Sequence, residues 1–424
     1  MWIPKNRQDF RKHLNDPLFK NTYYLMATML FTAGAGFFFW ILAARLYTVE
    51  DVGLGSAIMS ATWLLSILSV LGFDIGLIRY LPEERDKSRM INSCFTMTAL
   101  VALMLAVVFI LGLQIWTPAL MILRERTIFG LLFVLFTIAM TLFGLQTNVF
   151  VAFRQAKYSF IQGSVAMLRI VILPFLVAFG AFGLYLSAGL ATIIAILVGN
   201  MLIMKVLSAY RLVPAINKEM IREMMHYSFG NNVANIFYFL PVAVLPLLVV
   251  DLLGEEINAY FYVAWAIASV LLMIPFTTST SLFAEGSFSP DELRRNVIKS
   301  LKFIFVLLIP AIIGIFIAGR YVLLLFGNAY AENAFEVLLI LSIASVPHAI
   351  NVVYVAVKRV KKEIMPVICV YGAVAVLTLL GSYVLIQEMG LIGIGISWIF
   401  GNGIVAVMVG VKMIPRFIVY TDTT

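Results

Sequence analysis

The sequence predicts an all-α polytopic membrane protein: twelve transmembrane helices in two six-helix lobes, related by a pseudo-twofold axis along the membrane normal. Three observations predict it. Of 424 residues, 62% are hydrophobic and 12% charged. A soluble domain carries about 25% charge, and a globule of this size lacks the interior to hide so much apolar surface. The chain is also divided into charge-free runs of the length a bilayer demands, about 20 residues. Finally, its lysines and arginines crowd into alternate connections between those runs.

The runs come in order. Stretches without Asp, Glu, Lys or Arg cover 21–44, 52–73, 90–123 and 127–153 in the first half. In the second half they cover 226–250, 257–284, 303–319, 337–357, 364–387 and 389–411. Between Tyr158 and Met204 the one charge is Arg169. As a single helix that stretch would be about 70 Å long, more than twice a hydrocarbon core of about 30 Å. Two spans are therefore expected there, turning at Gly180-Ala181-Phe182-Gly183.

With the N-terminus inside, 25 of the 30 Lys and Arg residues fall in inner segments, and the outer loops take four, Arg45, Arg124, Arg126 and Arg320. The positive-inside rule then places both termini in the cytoplasm and the chain in the cytoplasmic membrane. The net charge of +8 is explained by this topology, so no nucleic-acid partner is needed. Residues 1–20 hold five cations and no apolar core or small-residue cleavage site, so no cleavable signal peptide is expected. Phe10, Leu14, Leu18 and Phe19 suit a short amphipathic helix on the inner leaflet. The expected organisation is this N-terminus, a first lobe over 21–204, a basic linker over 205–225, a second lobe over 226–414 and a cytoplasmic tail over 415–424.

The two halves resemble one another. FVAFRQAK at 150–157 matches YVAVKRVK at 354–361, an offset of 204. Gly183-Leu184 and Gly390-Leu391 open spans six and twelve at an offset of 207, and Glu50-Asp51 corresponds to Glu255-Glu256. Six spans per copy is an even number, so the repeat is parallel. Helix breakers also match: Gly34 and Gly36 in span one, Pro241 and Pro246 in span seven. Pro275, Pro310 and Pro347 are expected to interrupt three more spans. Such breaks serve either as hinges for alternating access or as static packing features.

Much chemistry is absent. There is no G-x-x-x-x-G-K-[ST], no H-E-x-x-H and no C-x-x-C. His13, His226 and His348 are scattered, Cys94 and Cys369 lie in separate apolar runs, and no soluble segment is long enough for a catalytic domain. Neither an enzyme, a metal nor a cofactor is expected.

Function is therefore sought among polar residues inside the bilayer. Arg169, in the middle of span five, costs about 2.5–3.5 kcal/mol to insert on translocon scales. It is either a cavity ligand for a phosphate or pyrophosphate or a structural partner of Asp74. Asp74 itself, in GFDIGLIRYLPEE at the inner end of span two, is a candidate for coupling to H+ or Na+, or a capping acid. Arg79 on the same segment could meet a substrate arriving from the cytoplasm, or anchor the interface. Asn232 and Asn235, at i and i+3 in span seven, could bind sugar hydroxyls or join helices. Arg45 sits beside Glu50 and Asp51. Glu285 is a gate or a plain interfacial acid, and His348 a proton relay or a residue hydrogen-bonded within the bundle.

LAARLYTVEDVGLGS, GFDIGLIRYLPEE, the basic loop after span four and the Gly-Leu openings carry a family resemblance across essentially the whole chain. They resemble the oligosaccharide flippases, the polysaccharide-biosynthesis membrane proteins of the multidrug/oligosaccharidyl-lipid/polysaccharide exporter superfamily. AEGSFS at 284–289 is similar to a stretch of the lipid II flippases, though it stands here in the second half, and two of that group's fourteen spans are missing. The resemblance implies a V-shaped transporter of a polyprenyl-pyrophosphate-linked glycan, with a cationic cavity holding the head group. Arg169 and Arg79 are the positions that fit such a cavity. It also implies glycosyltransferases or a polymerase of the same pathway as partners, beside the membrane lipids. A cation-coupled multidrug exporter of the same superfamily is the rival expectation.

Overall fold

The structure, a computed structural model, describes residues 17–288 and 290–418, with side chains over 31–288 and 291–411. Among these residues every regular element is a helix. That outcome follows from lipid as solvent: a backbone N–H or C=O without water must bond within its own segment. The first half holds α1 (Pro17–Leu46), α2 (Val49–Ser69), α3 (Phe73–Tyr80), α4 (Lys87–Leu111), α5 (Thr127–Ala152), α6 (Ala156–Ala166) and α7 (Gly180–Val206). The second holds α8 (Lys218–Leu253), α9 (Glu255–Phe288), α10 (Leu293–Leu324), α11 (Phe335–Val360), α12 (Ile364–Met389) and α13 (Leu391–Ile418). Short one-turn segments fill several of the connections.

Ten helical stretches among the described residues are long and apolar enough to cross a membrane, and Phe31–Leu46 of α1 is a shorter apolar segment. One of the ten, Ala156–Val206, has 51 residues and doubles back. A Cβ on Gly183 would meet the Leu176 carbonyl, and one on Gly199 would meet Gln162, so α7 runs antiparallel to the segment before it. The reversal falls at Gly180, whose φ of 55° needs no side chain to accommodate. The expected hairpin turn is there.

Two expectations change. Span two ends early: α2 stops at Ser69, Gly72 takes φ 83°, and Asp74 and Arg79 sit on the separate short helix α3. Span five is not one helix: α6 ends at Ala166, a single turn follows over Arg169–Ile172, and Leu173–Phe179 winds as a 3-10 helix with Pro174 at its start. Pro174 lacks the N–H that would continue an α ladder. The prolines of the second half interrupt nothing. Pro241 and Pro246 lie inside α8, Pro275 inside α9, Pro310 inside α10 and Pro347 inside α11. Each removes one hydrogen bond from a ladder long enough to run through. Helix α1 likewise runs unbroken through Gly34 and Gly36.

The repeat shows in the helix boundaries. Helices α2 and α9 begin 206 residues apart, at Val49 and Glu255, as do α4 and α10, at Lys87 and Leu293. Helices α5 and α11 end 208 apart, at Ala152 and Val360. Both are closed alike. Arg154 and Lys362 take left-handed φ of 56° and 58°. The N–H of Gln155 then returns to the Phe150 carbonyl, and that of Glu363 to the Lys358 carbonyl, the Schellman pattern. The 204 offset of FVAFRQAK and YVAVKRVK is thus one helical turn short.

Contacts divide the chain into two compact units. The first comprises residues up to Leu46, Thr62–Trp116 and Met121–Phe229. Its core joins Phe73, Leu77, Met90, Cys94, Leu145, Val149, Phe150, Ile203 and Met224. The start of α8 packs within this unit, where Met224 lies over Gly76 and Tyr227 meets Tyr80 edge-on. The second unit comprises Tyr47–Ala61, Thr117–Leu120 and residues from Gly230 on. It captures the start of α2: Asn258 donates to the Gly53 carbonyl at 2.8 Å, and Asp251 accepts from the Ala119 N–H at 2.9 Å.

Gly53 allows that approach. A Cβ there would lie 1.7 Å from the Glu255 carbonyl oxygen, whereas one on Gly34 would meet nothing within 4 Å. Gly53→Ala is expected to destabilise the protein by about 2 kcal/mol or more, as overpacking does. A drop of several degrees in a thermal-shift measurement in detergent checks this, with Gly34→Ala expected to leave the melting temperature within a degree or two.

Candidate functional site

Arg169 opens the one-turn helix after the Met167-Leu168 bend, and is half-buried. Its guanidinium lies over the Phe39 ring of α1, 4.5 Å from the ring centroid, and its Nη2 is 3.4 Å from where a Gly36 Cβ would stand. The structure therefore brings together Arg169, Gly36 and Phe39. Gly36 is a place where a side chain would cover the cation, which gives that glycine a role the breaker reading lacked.

Asp74 is not the partner of Arg169. It stands in the first turn of α3, where its carboxylate accepts the Ile75 backbone N–H, while Oδ1 is buried without a hydrogen-bond partner among the described residues. The helix N-terminus supplies positive potential there, although the N-cap is Gly72 and no side chain caps the helix. Burial pushes the carboxyl above its ordinary range, and the Ile75 N–H pulls it back. Arg79 points elsewhere, into an exposed ion pair at 2.9 Å with Glu83, just past the end of α3. Arg45 is exposed in the last turn of α1, and Glu285 is exposed near the end of α9. Asn235 accepts from Arg359 at 3.4 Å, which draws it to α11; half-buried Asn232 does not join it there.

The second unit holds a small cavity of about 30 Å³, mostly apolar-walled with a few polar groups, enough for about two water molecules. It is lined by Tyr238 and Pro241 from α8, His348 and Asn351 from α11, Tyr371 from α12, and Trp398 and Asn402 from α13. His348 Nδ1 faces Asn402 Oδ1 at 3.3 Å, and Asn351 donates to the Asn402 carbonyl at 3.0 Å. His348 Nε2 and Asn351 Oδ1 have no partner among the described residues. His348 is thus hydrogen-bonded within the bundle. In the first unit, Gln146 on α5 donates to Asn200 on α7 at 3.1 Å and accepts from Gln162 on α6 at 2.6 Å.

Sequence reasoning missed these amides. The signal available was a polar residue in an apolar run at helical spacing from another, as Asn351 is from His348. Among the described residues, no group of three or more His, Cys, Asp or Glu could hold a metal ion.

The polysaccharide biosynthesis protein family matches residues 18–283. A Shigella flexneri protein named for O-antigen transport is 30% identical over 156 residues, which is 36% of this chain and 37% of that one. Two solved structures align over nearly the whole chain. An inward-facing multidrug resistance MATE family transporter of the MOP superfamily has 16% identity and a TM-score of 0.69, covering 95% of this chain and 99% of its own. The lipid II flippase MurJ, inward closed, has 14% identity and a TM-score of 0.71, covering 92% and 88%. At these identities the likeness is one of fold.

Asp74→Asn tests whether the Asp74 carboxylate stands without an ion partner. A carboxyl whose folded value is raised contributes stability below its unfolded value and loses it as pH rises through the folded one. At pH 7 the charged form is the disfavoured one, so Asp74→Asn is expected to melt no lower than wild type. At pH 4 the two should coincide. A variant that melts several degrees lower at pH 7 would show that the carboxylate is held by an ion partner.

Proposed function

The chain belongs to the polysaccharide biosynthesis protein family, and from that premise we propose that it is a flippase for a lipid-linked oligosaccharide. On this reading a polyprenyl-pyrophosphate glycan is carried across the cytoplasmic membrane by alternating access, without chemistry on the substrate, for surface glycan assembly. Both termini face the cytoplasm, where the basic loops lie, and the polypeptide crosses the membrane twelve times. The reading needs no cofactor and admits a gradient of H+ or Na+ as the driving force. Glycosyltransferases or a polymerase of the same pathway are its natural partners.

Arg169 carries the reading. It is a permanent cation in an otherwise charge-free apolar stretch, lying over the Phe39 ring with Nη2 beside Gly36. A guanidinium presents a planar fork of donors that matches phosphate oxygens two at a time. An aromatic face stabilises that fork without neutralising it. Arg79, already engaged with Glu83 at the surface, suits a first encounter better than a binding site.

The test is a leaflet assay in proteoliposomes, in which a membrane-impermeant glycosidase reports which face a fluorescent polyprenyl-pyrophosphate oligosaccharide occupies. Wild type is expected to move it. Arg169→Ala is expected to slow it at least tenfold with melting within about two degrees, and Arg169→Lys, which keeps the charge and loses the fork, to lie between. Gly36→Leu, which covers the guanidinium, should resemble Arg169→Ala. Unchanged rates in all three variants would remove the anion site. Movement of a cationic dye with no movement of glycan would make the protein a multidrug exporter, and turnover of the glycan by protein in detergent would make it an enzyme.

A further inference from the structure

The cytoplasmic end of α10 carries a cluster the transport site does not use. Arg294, Arg295, Lys299 and Lys302 line a recess of about 290 Å³ together with Ile298. Some of the other inner cations are engaged: Arg79 with Glu83, Lys358 with Glu363, Arg359 with Asn235, and Lys157 over the Tyr158 ring. The four on α10 form no ion pair among the described residues, although Asp291 and Glu292 stand one turn away.

The cluster continues into a lipid-facing stripe. At 3.6 residues per turn, Arg295, Lys299, Lys302, Val306, Ile313 and Ile317 fall on one face of α10. All six are exposed, Val306 at 69% and Ile317 at 73%. The opposite face buries Val297, Ile304 and Leu308 against α9 and α11. Of the candidate spans, α10 is the least covered by protein, with 11% of its apolar window buried. From Val306 to Ile317 the stripe is about 17 Å long, the scale of an acyl chain.

We propose that this face of α10 is a binding site for an anionic phospholipid of the inner leaflet, its phosphate held by Arg295, Lys299 and Lys302 and one acyl chain lying along Val306, Ile313 and Ile317. Charge complementarity selects the occupant. Unpaired cations at the depth of the head groups attract anionic lipid, while the apolar stripe below them excludes a free anion or an acidic peptide as the better fit. The inner leaflet follows from the orientation proposed above.

Native mass spectrometry of the full chain, released from micelles containing phosphatidylglycerol or phosphatidylcholine, tests it. Wild type is expected to retain phosphatidylglycerol in preference. Arg295→Gln/Lys299→Gln/Lys302→Gln is expected to weaken that retention at least tenfold, while Arg154→Gln/Lys361→Gln/Lys362→Gln, which removes equal charge elsewhere, leaves it unchanged. Should the triple variant aggregate, exposed Lys299→Gln alone carries the comparison, with a loss of about fivefold. Equal retention of phosphatidylcholine, undiminished retention by the α10 variants, or displacement by millimolar inorganic phosphate would each overturn the proposal. No glycan is present in this assay, so failure of the flippase reading would leave its result untouched.

Discussion

A polar group carried into hydrocarbon must find its partner within the protein, because lipid offers none. That constraint makes every regular element among the described residues a helix. It also decides where the side-chain amides go. Gln146, Gln162 and Asn200 bond one another across α5, α6 and α7, and Asn351 and His348 both reach Asn402 across α11 and α13, with His348 Nε2 and Asn351 Oδ1 left without a partner among the described residues. Apolar side chains give membrane helices little reason to prefer each other over lipid, so such contacts and close packing at small residues supply the specificity. Gly199 shows both together: a Cβ there would lie 2.2 Å from Gln146 Oε1.

The two amide clamps occupy corresponding places in the repeat. In the twelve-span organisation expected from the sequence, α5 and α7 are the fourth and sixth spans of the first copy, and α11 and α13 those of the second. The clamped residues differ, yet the joined pairs of helices are the same. A duplicated bundle can drift in sequence at each position while the need to join those two helices persists. The left-handed closures at Arg154 and Lys362 have persisted too, although neither is glycine and each costs about 1 kcal/mol or more.

Long runs of one period were legible in the sequence, because span length is fixed by bilayer thickness and needs no tertiary knowledge. The hairpin at Gly180 was legible for the same reason. The end of span two was not: Leu71, Gly72 and Phe73 are as apolar as the helix they terminate, and the break is marked by the left-handed φ of Leu71 and Gly72. The prolines misled in the opposite direction, since composition shows the missing N–H but not the ladder around it. Asp74 and Arg79 were placed on a span because charge-free length was read as helix length. The repeat was read one turn short because a four-residue shift keeps the same helix face and so preserves the pattern being matched.

Arg169 shows how a membrane protein can afford a charge it means to use. Inserting an arginine costs about 2.5–3.5 kcal/mol on translocon scales, and a desolvated cation over an aromatic ring recovers about 2 kcal/mol. The Phe39 ring at 4.5 Å can therefore offset most of the cost. A carboxylate in its place would offset more, but it would occupy the donors a phosphate requires, and displacing it would leave a second charge buried. The bend before Arg169 completes the arrangement: by ending α6 at Ala166 and restarting at Arg169, the chain sets the guanidinium over the Phe39 ring beside Gly36.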